Sequence, residues 1–254
     1  MPLLTQNREL KPHNIWNWTI PAWFTRRTDG TLFKTCPSAG ICAKLCYARN
    51  GTYLFRNVQA AHNRNLELVL TDIAEWRRLM YGELKTRMKP KPRALPEGVS
   101  ALDLDAFMAS WVMSGLPAVR IHDAGDFFAP WYLTLWLEVA ADHPHLLFYA
   151  YTKEVAMFRE QAAHGFPDNF RYLFSTGGTQ DASLTLDDRH ADVFPTREAL
   201  DRSGYRSQDS CDLLAIMLPT NLIGITANNI RHFNKRMAGR TFGQIQQEVT
   251  VRGR

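Results

Sequence analysis

Apolar positions divide the chain into segments of two different periods. Residues 14–24, with Ile15, Trp16, Trp18, Ile20 and Trp23, predict a first strand that ends near Pro21. Beyond Gly51 the spacing changes. Leu66, Leu68, Val69, Ile73 and Trp76 lie on a 3.6-residue pattern over 58–80, which predicts one long helix or two abutting ones. Pro90, Pro92 and Pro96 then break the pattern into an exposed connector, and 103–114 predicts a helix closed by Gly115 and Pro117.

From there strands and helices alternate. Strands are expected at 118–122, 146–151 and 170–175, and helices at 130–141, opened by Pro130, and at 153–163, capped by Thr152. A short strand near 191–194, a helix at 197–202, a strand-like apolar run at 213–218 after Cys211 and a final strand at 222–226 follow. Helices at 228–238 and 241–251 close the chain. Strands alternating with helices of this length imply βαβ units and a parallel sheet. The fold expected is α/β, with about six mainly parallel strands in an open doubly wound sheet or a partial β/α barrel with outer helices. Both architectures place ligands at the carboxyl ends of the strands. One rim would then carry the loop after strand one, Asp123 to Asp126 after strand two, Thr152 and Lys153 after strand three, and Ser175 to Gly178 after strand four.

The whole chain, 1–254, reads as a single domain with a cysteine-bearing loop at 35–51, a basic, proline-rich connector at 85–98 and a helical tail at 228–254. At 45% hydrophobic and 22% charged residues, the composition is globular rather than low-complexity. No apolar run reaches the ~18 residues of a membrane span, and the polar start lacks the apolar core of a secretory signal. The expected location is therefore a reducing cytoplasm, with no membrane partner. The formal net charge of +5 gathers partly in Lys85, Arg87, Lys89, Lys91 and Arg93 and partly near the C-terminus. A nucleic-acid contact is one reading of these cations, and a solvated, solubilising surface is the plainer one.

Chemistry concentrates in one stretch. Cys36, Cys42 and Cys46, three of the four cysteines, are spaced C-x5-C-x3-C on a loop that Pro37 and Gly40 keep irregular. In a cytoplasmic chain clustered cysteines are more often metal ligands than disulfides, and soft thiolates select iron-sulfur clusters, zinc or copper(I). Zinc usually takes a second C-x2-C or H-x3-5-H arm, which is missing here, so an iron-sulfur cluster is the preferred reading. Cys211 reads either as a fourth ligand or as a lone buried thiol.

On the same rim Asp123 and Asp126 flank Gly125, where a glycine lets backbone approach a ligand closely, and Lys153 is placed to pair with a carboxylate. The plainer role for both carboxylates is to cap the helix that opens at Pro130. His122 reads as a core histidine, and Gly177-Gly178 as a tight turn rather than an anion cradle.

Cys36-Pro37, Cys42, Cys46-Tyr47-Ala48, Arg120-Ile121-His122-Asp123-Ala124-Gly125-Asp126-Phe127 and Phe148-Tyr149-Ala150-Tyr151-Thr152-Lys153 together resemble the actinobacteriophage family called gene product eighty-eight. More distantly the chain is similar to the radical S-adenosylmethionine enzymes. The second resemblance implies a partial barrel, a four-iron, four-sulfur cluster on the three cysteines, and S-adenosylmethionine chelated by the open iron, its amino group held near Gly125 and Asp126. The spacing departs from that group's C-x3-C-x2-C, and Tyr47 follows the last cysteine instead of preceding it. Three functions follow as expectations: a radical-enzyme-like iron-sulfur protein; a non-catalytic cluster protein, with Cys211 as fourth ligand, that acts by redox or on a host or phage protein; and a zinc-stapled nucleic-acid binder.

Overall fold

The computed structural model describes residues 2–227 and 231–253. Seven strands form one all-parallel sheet: β1 (Ile15–Trp18), β4 (Ala118–Ile121), β5 (Leu147–Thr152), β6 (Phe170–Ser175), β7 (His190–Phe194), β8 (Arg206–Ser207) and β9 (Leu222–Thr226). Their spatial order is β1-β4-β5-β6-β7-β9-β8. The order advances in one direction from β1 to β7 without the central reversal of a doubly wound sheet, so the crevice of that architecture does not arise here. No pairing joins the outer strands β1 and β8 among the described residues. The sheet holds seven strands rather than six, because the two-residue β8 is too short to leave a period in the sequence.

Strand alternation divides the core. Val119, Ile121, Phe148, Ala150 and Phe174 face one side, where they pack with α1 (Arg56–Thr71), α2 (Ile73–Arg87), α4 (Pro130–Asp142) and α5 (Val155–Ala162). Ala118, Leu147, Tyr149, Leu173 and Ile223 face the other, with Met108 and Trp111 of α3 (Ala106–Ser114) and Leu214 to Met217 of α7. Helices therefore cover both faces, not only an outer one. α6 (Arg197–Asp201), α8 (Arg231–Met237) and α9 (Phe242–Arg252) complete the chain. Among the described residues no helix is long and apolar enough to cross a membrane.

Several expectations are corrected. The predicted first strand is two objects: β1 stops at Trp18, and Phe24 belongs to an antiparallel hairpin, β2 (Phe24–Arg26) with β3 (Leu32–Lys34), that turns through Asp29 and Gly30 (φ +84°). The cysteine loop follows this hairpin, not β1. Of the two readings of 58–80 the abutting pair is the observed one: Asp72 divides the helices, and its side chain accepts the Glu75 N–H at 2.9 Å and so starts α2. The run at 213–218 is α7 (Leu214–Met217), not a strand, because a continuous apolar run has no period of its own to distinguish the two. The start of the predicted helix at 228–238 lies outside the described residues.

Candidate metal centre

The cysteine loop is assembled by the loops that leave the carboxyl ends of the sheet strands. The hairpin after β1 supplies Trp23, whose backbone N–H donates to Cys36 Sγ at 3.2 Å. The loop after β4 supplies Asp123, whose carbonyl accepts the Tyr47 hydroxyl and whose carboxylate accepts that of Tyr53. Glu154, beyond β5, accepts the Ser38 N–H and hydroxyl, each at 2.8 Å. Beyond β6 the Gly177 carbonyl takes the N–H groups of Gly40 at 3.1 Å and Cys42 at 3.0 Å, and the Ser38 carbonyl takes the Thr179 N–H at 2.8 Å. From α9, Gln246 Oε1 accepts the Ile41 N–H at 2.7 Å. The rim expected from the sequence is therefore the observed one.

Each of the three cysteines feels at least one of the others. Burial, then the nearby Asp126 carboxylate and the other two sulfurs, pushes the Cys36 thiol far up; burial and Cys42 push Cys46 up to about 12. Lys153 feels both sulfurs and carboxylates. Burial opposes its charge, but Cys42, Asp126 and Asp181 together raise it, and its ammonium donates to Ser175 Oγ at 2.8 Å. Among the described residues no three His, Cys, Asp or Glu side chains form a group able to hold a single metal ion.

The remaining candidates are already engaged. Asp126 is buried and accepts from Thr152 Oγ1 at 2.7 Å and from the N–H groups of Phe127 at 2.8 Å and Lys153 at 2.9 Å. It ties β4 to β5 instead of capping α4. Gly125 adopts φ +88°, and a Cβ there would overlap Ile20 Cγ1, so the glycine is required by close packing against the chain that leaves β1. Asp123 faces Tyr47, Tyr53 and, at 3.6 Å, Arg120. The Gly177 and Gly178 N–H groups donate to Asp181 at 2.6 and 2.9 Å, which makes this segment a capped turn as the sequence suggests.

Cys211 is not brought to the other three. It is buried in the same apolar cluster as Ala118 and Leu147, the first residues of β4 and β5, and is influenced by Arg93, which donates to the Leu116 carbonyl just ahead of β4. That is the amino end of the sheet. Sequence reasoning missed Arg120 and Asp212: Asp212 accepts from Tyr149 and, at 3.1 Å, Tyr151, and meets Arg120 at 3.5 Å. The alternation of Arg120 with apolar neighbours in a buried strand was the available signal.

This is an α/β protein with a parallel sheet whose carboxyl rim is organised around a three-cysteine loop. The chain belongs to the phage family described as Gene product 88, whose sequence model matches residues 2–249. It is similar to the Gene 88 protein of Mycobacterium phage L5, 31% identical over 124 residues that cover 47% of this chain and 43% of that protein. The match thus spans less than half of that relative's length. No solved structure matches the chain.

Proposed function

We propose that this protein binds a four-iron, four-sulfur cluster through Cys36, Cys42 and Cys46. The observation that carries the reading is convergence: loops from four successive strands, and α9, hold one short segment whose sulfurs lie in each other's fields beside a buried cation. Cys36 and Cys46 are pushed up by desolvation and by neighbouring sulfurs, an arrangement in which a metal would take the place of the thiol protons, so thiols of this kind fit a thiolate-bound centre. The Trp23 N–H on Cys36 Sγ and the Lys153 ammonium are the kind of donor and charge that tune such a centre.

Three protein thiolates leave one iron without a protein ligand, and S-adenosylmethionine is the chelator that the resemblance to radical enzymes implies there; when bound, such a cluster supplies one-electron chemistry. Asp126 is committed to Thr152, Phe127 and Lys153, so it is not assigned the ligand's amino group. The chain's own contribution would be a buried backing to the loop from Leu45 and Ala48 and the positive charge of Lys153, which Cys42 and Cys36 both influence. The run from β1 to β7, which advances in one direction, is the part of the sheet that fits a partial barrel, whereas helices on both faces do not.

Anaerobic purification, followed by reconstitution with iron and sulfide, tests the proposal. The expected result is a brown protein with broad absorbance near ~400 nm, and about four irons and four sulfides per chain. A change in the reduced-state EPR signal on adding S-adenosylmethionine supports an open iron. Colourless protein with stoichiometric zinc, or iron binding that survives loss of Cys42, overturns the cluster.

A further inference from the structure

The surface around the cysteine loop has a charge distribution that the cluster does not require. Residues 30–66 contain no Asp or Glu and five Lys or Arg; residues 213–247, almost two hundred positions later, contain no Asp or Glu and four Lys or Arg. The fold brings these two acid-free segments together. Arg236 donates to the Lys44 carbonyl at 2.8 Å, and Leu45 is buried in one cluster with Phe233 and Met237 of α8.

Most cations on this rim lack a carboxylate partner within ion-pair distance, although Lys34 feels Glu154. Lys34, Lys44, Arg49, Arg56, Lys235 and Arg236 form no ion pair among the described residues, whereas Arg27 and Arg240 at the border pair with Glu67 and Glu248. The nearest carboxylates are turned inward, Asp123 onto tyrosines, Asp126 onto Thr152 and Glu154 onto Ser38. Unpartnered charges of one sign on one face attract a polyanion.

Exposed rings lie among these charges. Phe24 is 45% exposed, Phe55 59% and Tyr47 37%, well above the level of core aromatics. They belong to the same rim: Trp23, beside Phe24, lies under Arg49 at 4.6 Å, and Tyr53, two residues before Phe55, meets the Tyr47 ring edge-on. We infer that this rim, built from Lys44, Arg49, Arg56, Arg236 and the exposed rings of Phe24 and Phe55, docks a single-stranded nucleic acid.

Cations track the phosphates while bases stack on the rings, an arrangement that tolerates any sequence. A membrane surface fits less well, because it needs an amphipathic helix with a free apolar face. Here the Phe233 and Met237 side chains of α8 are buried under Leu45 instead. The basic connector at 85–93, which drew attention in the sequence, plays no part in this face. The inference stands independently of the iron-sulfur reading, since it uses only surface side chains.

Fluorescence anisotropy of a labelled 20-nucleotide single strand with the full chain, at two salt concentrations, tests it. Lys44→Glu with Arg56→Glu should weaken binding about tenfold or more and flatten the log-log salt slope by about 1.4, two phosphate contacts at roughly 0.7 each. Phe55→Ala should weaken the single strand several-fold and leave a duplex of the same length unchanged. Lys85→Glu with Lys91→Glu is the control and should change neither affinity nor slope. Circular dichroism and Tm verify that each variant is folded. Absence of binding at low salt, equal loss in the connector variant, or equally tight binding to phosphatidylserine vesicles overturns the inference.

Discussion

His122 shows how a single residue sets a pH limit on this fold. It has φ +69°, which ends β4 and lets both its own N–H and that of Asp123 donate to the Trp18 carbonyl. The Tyr132 hydroxyl oxygen accepts from Trp18 Nε1 at 2.8 Å and lies 2.9 Å from His122 Nε2, so its proton is free for a neutral imidazole. Burial holds the His122 pKa down to about 3. In the unfolded chain the same group takes a proton near pH 6.5. Between those values the unfolded state binds more protons, so this contribution is complete above pH 6.5 and is lost as pH falls, by about 1.4 kcal/mol per unit. His122→Asn removes the titration, and asparagine tolerates the left-handed backbone. The stability difference between wild type and His122→Asn, from urea unfolding, should shift by about 2 kcal/mol against the wild type between pH 7 and pH 5.

Gly125 belongs to the same scale. If close packing is its role, Gly125→Ala should destabilise by about 2–4 kcal/mol, from the positive φ together with the overlap with Ile20. In a double-mutant cycle, Ile20→Ala should recover part of that loss. A cycle without coupling would return Gly125 to the role of ligand neighbour.

Among elements, α9 shows what sequence could and could not reveal. Its Phe242, Ile245 and Val249 spacing was legible, as were β6 and β9 at their observed bounds; apolar periodicity reported the burial of Phe242 and Ile245, though Val249 is exposed. That α9 fastens the cysteine loop was not legible, since Gln246 is polar and its partner, Ile41, is 205 positions away. The same holds for Glu154 on Ser38, and for the β2–β3 hairpin, whose alternation was absorbed into a strand prediction that ran through it. The rim itself was legible from strand order alone, because parallel strands all end on one side. Gln246→Ala leaves the Ile41 N–H without its acceptor and should cost about 1–2 kcal/mol. Hydrogen exchange at Ile41 should accelerate well beyond that at the β5 and β6 amides; uniform acceleration would mean that α9 supports the whole sheet and not the loop.

Across the molecule the two ends of the sheet carry different tasks, and the lone fourth cysteine lies at the end without the other sulfurs. The carboxyl end holds Cys36, Cys42, Cys46 and Lys153; the amino end holds Cys211 among apolar residues beside Arg93. Between them Asp212, one residue along from Cys211, binds Tyr149, Tyr151 and Arg120 on the inner side of β4 and β5. Asp212→Ala would remove one of the two carboxylates that face largely buried Arg120, Asp123 at 3.6 Å being the other, and would leave the Tyr149 hydroxyl without its acceptor, so it should cost about 3 kcal/mol. Cys211→Ala removes only a small apolar group and should cost about 1 kcal/mol. On anaerobic reconstitution Cys211→Ala should keep the wild-type iron content, and Cys42→Ala should lose most of it. Iron lost equally from both variants would mean that Cys211 reaches the cluster, which this arrangement of the sheet does not allow without unpacking α7 and freeing Asp212 from its tyrosines.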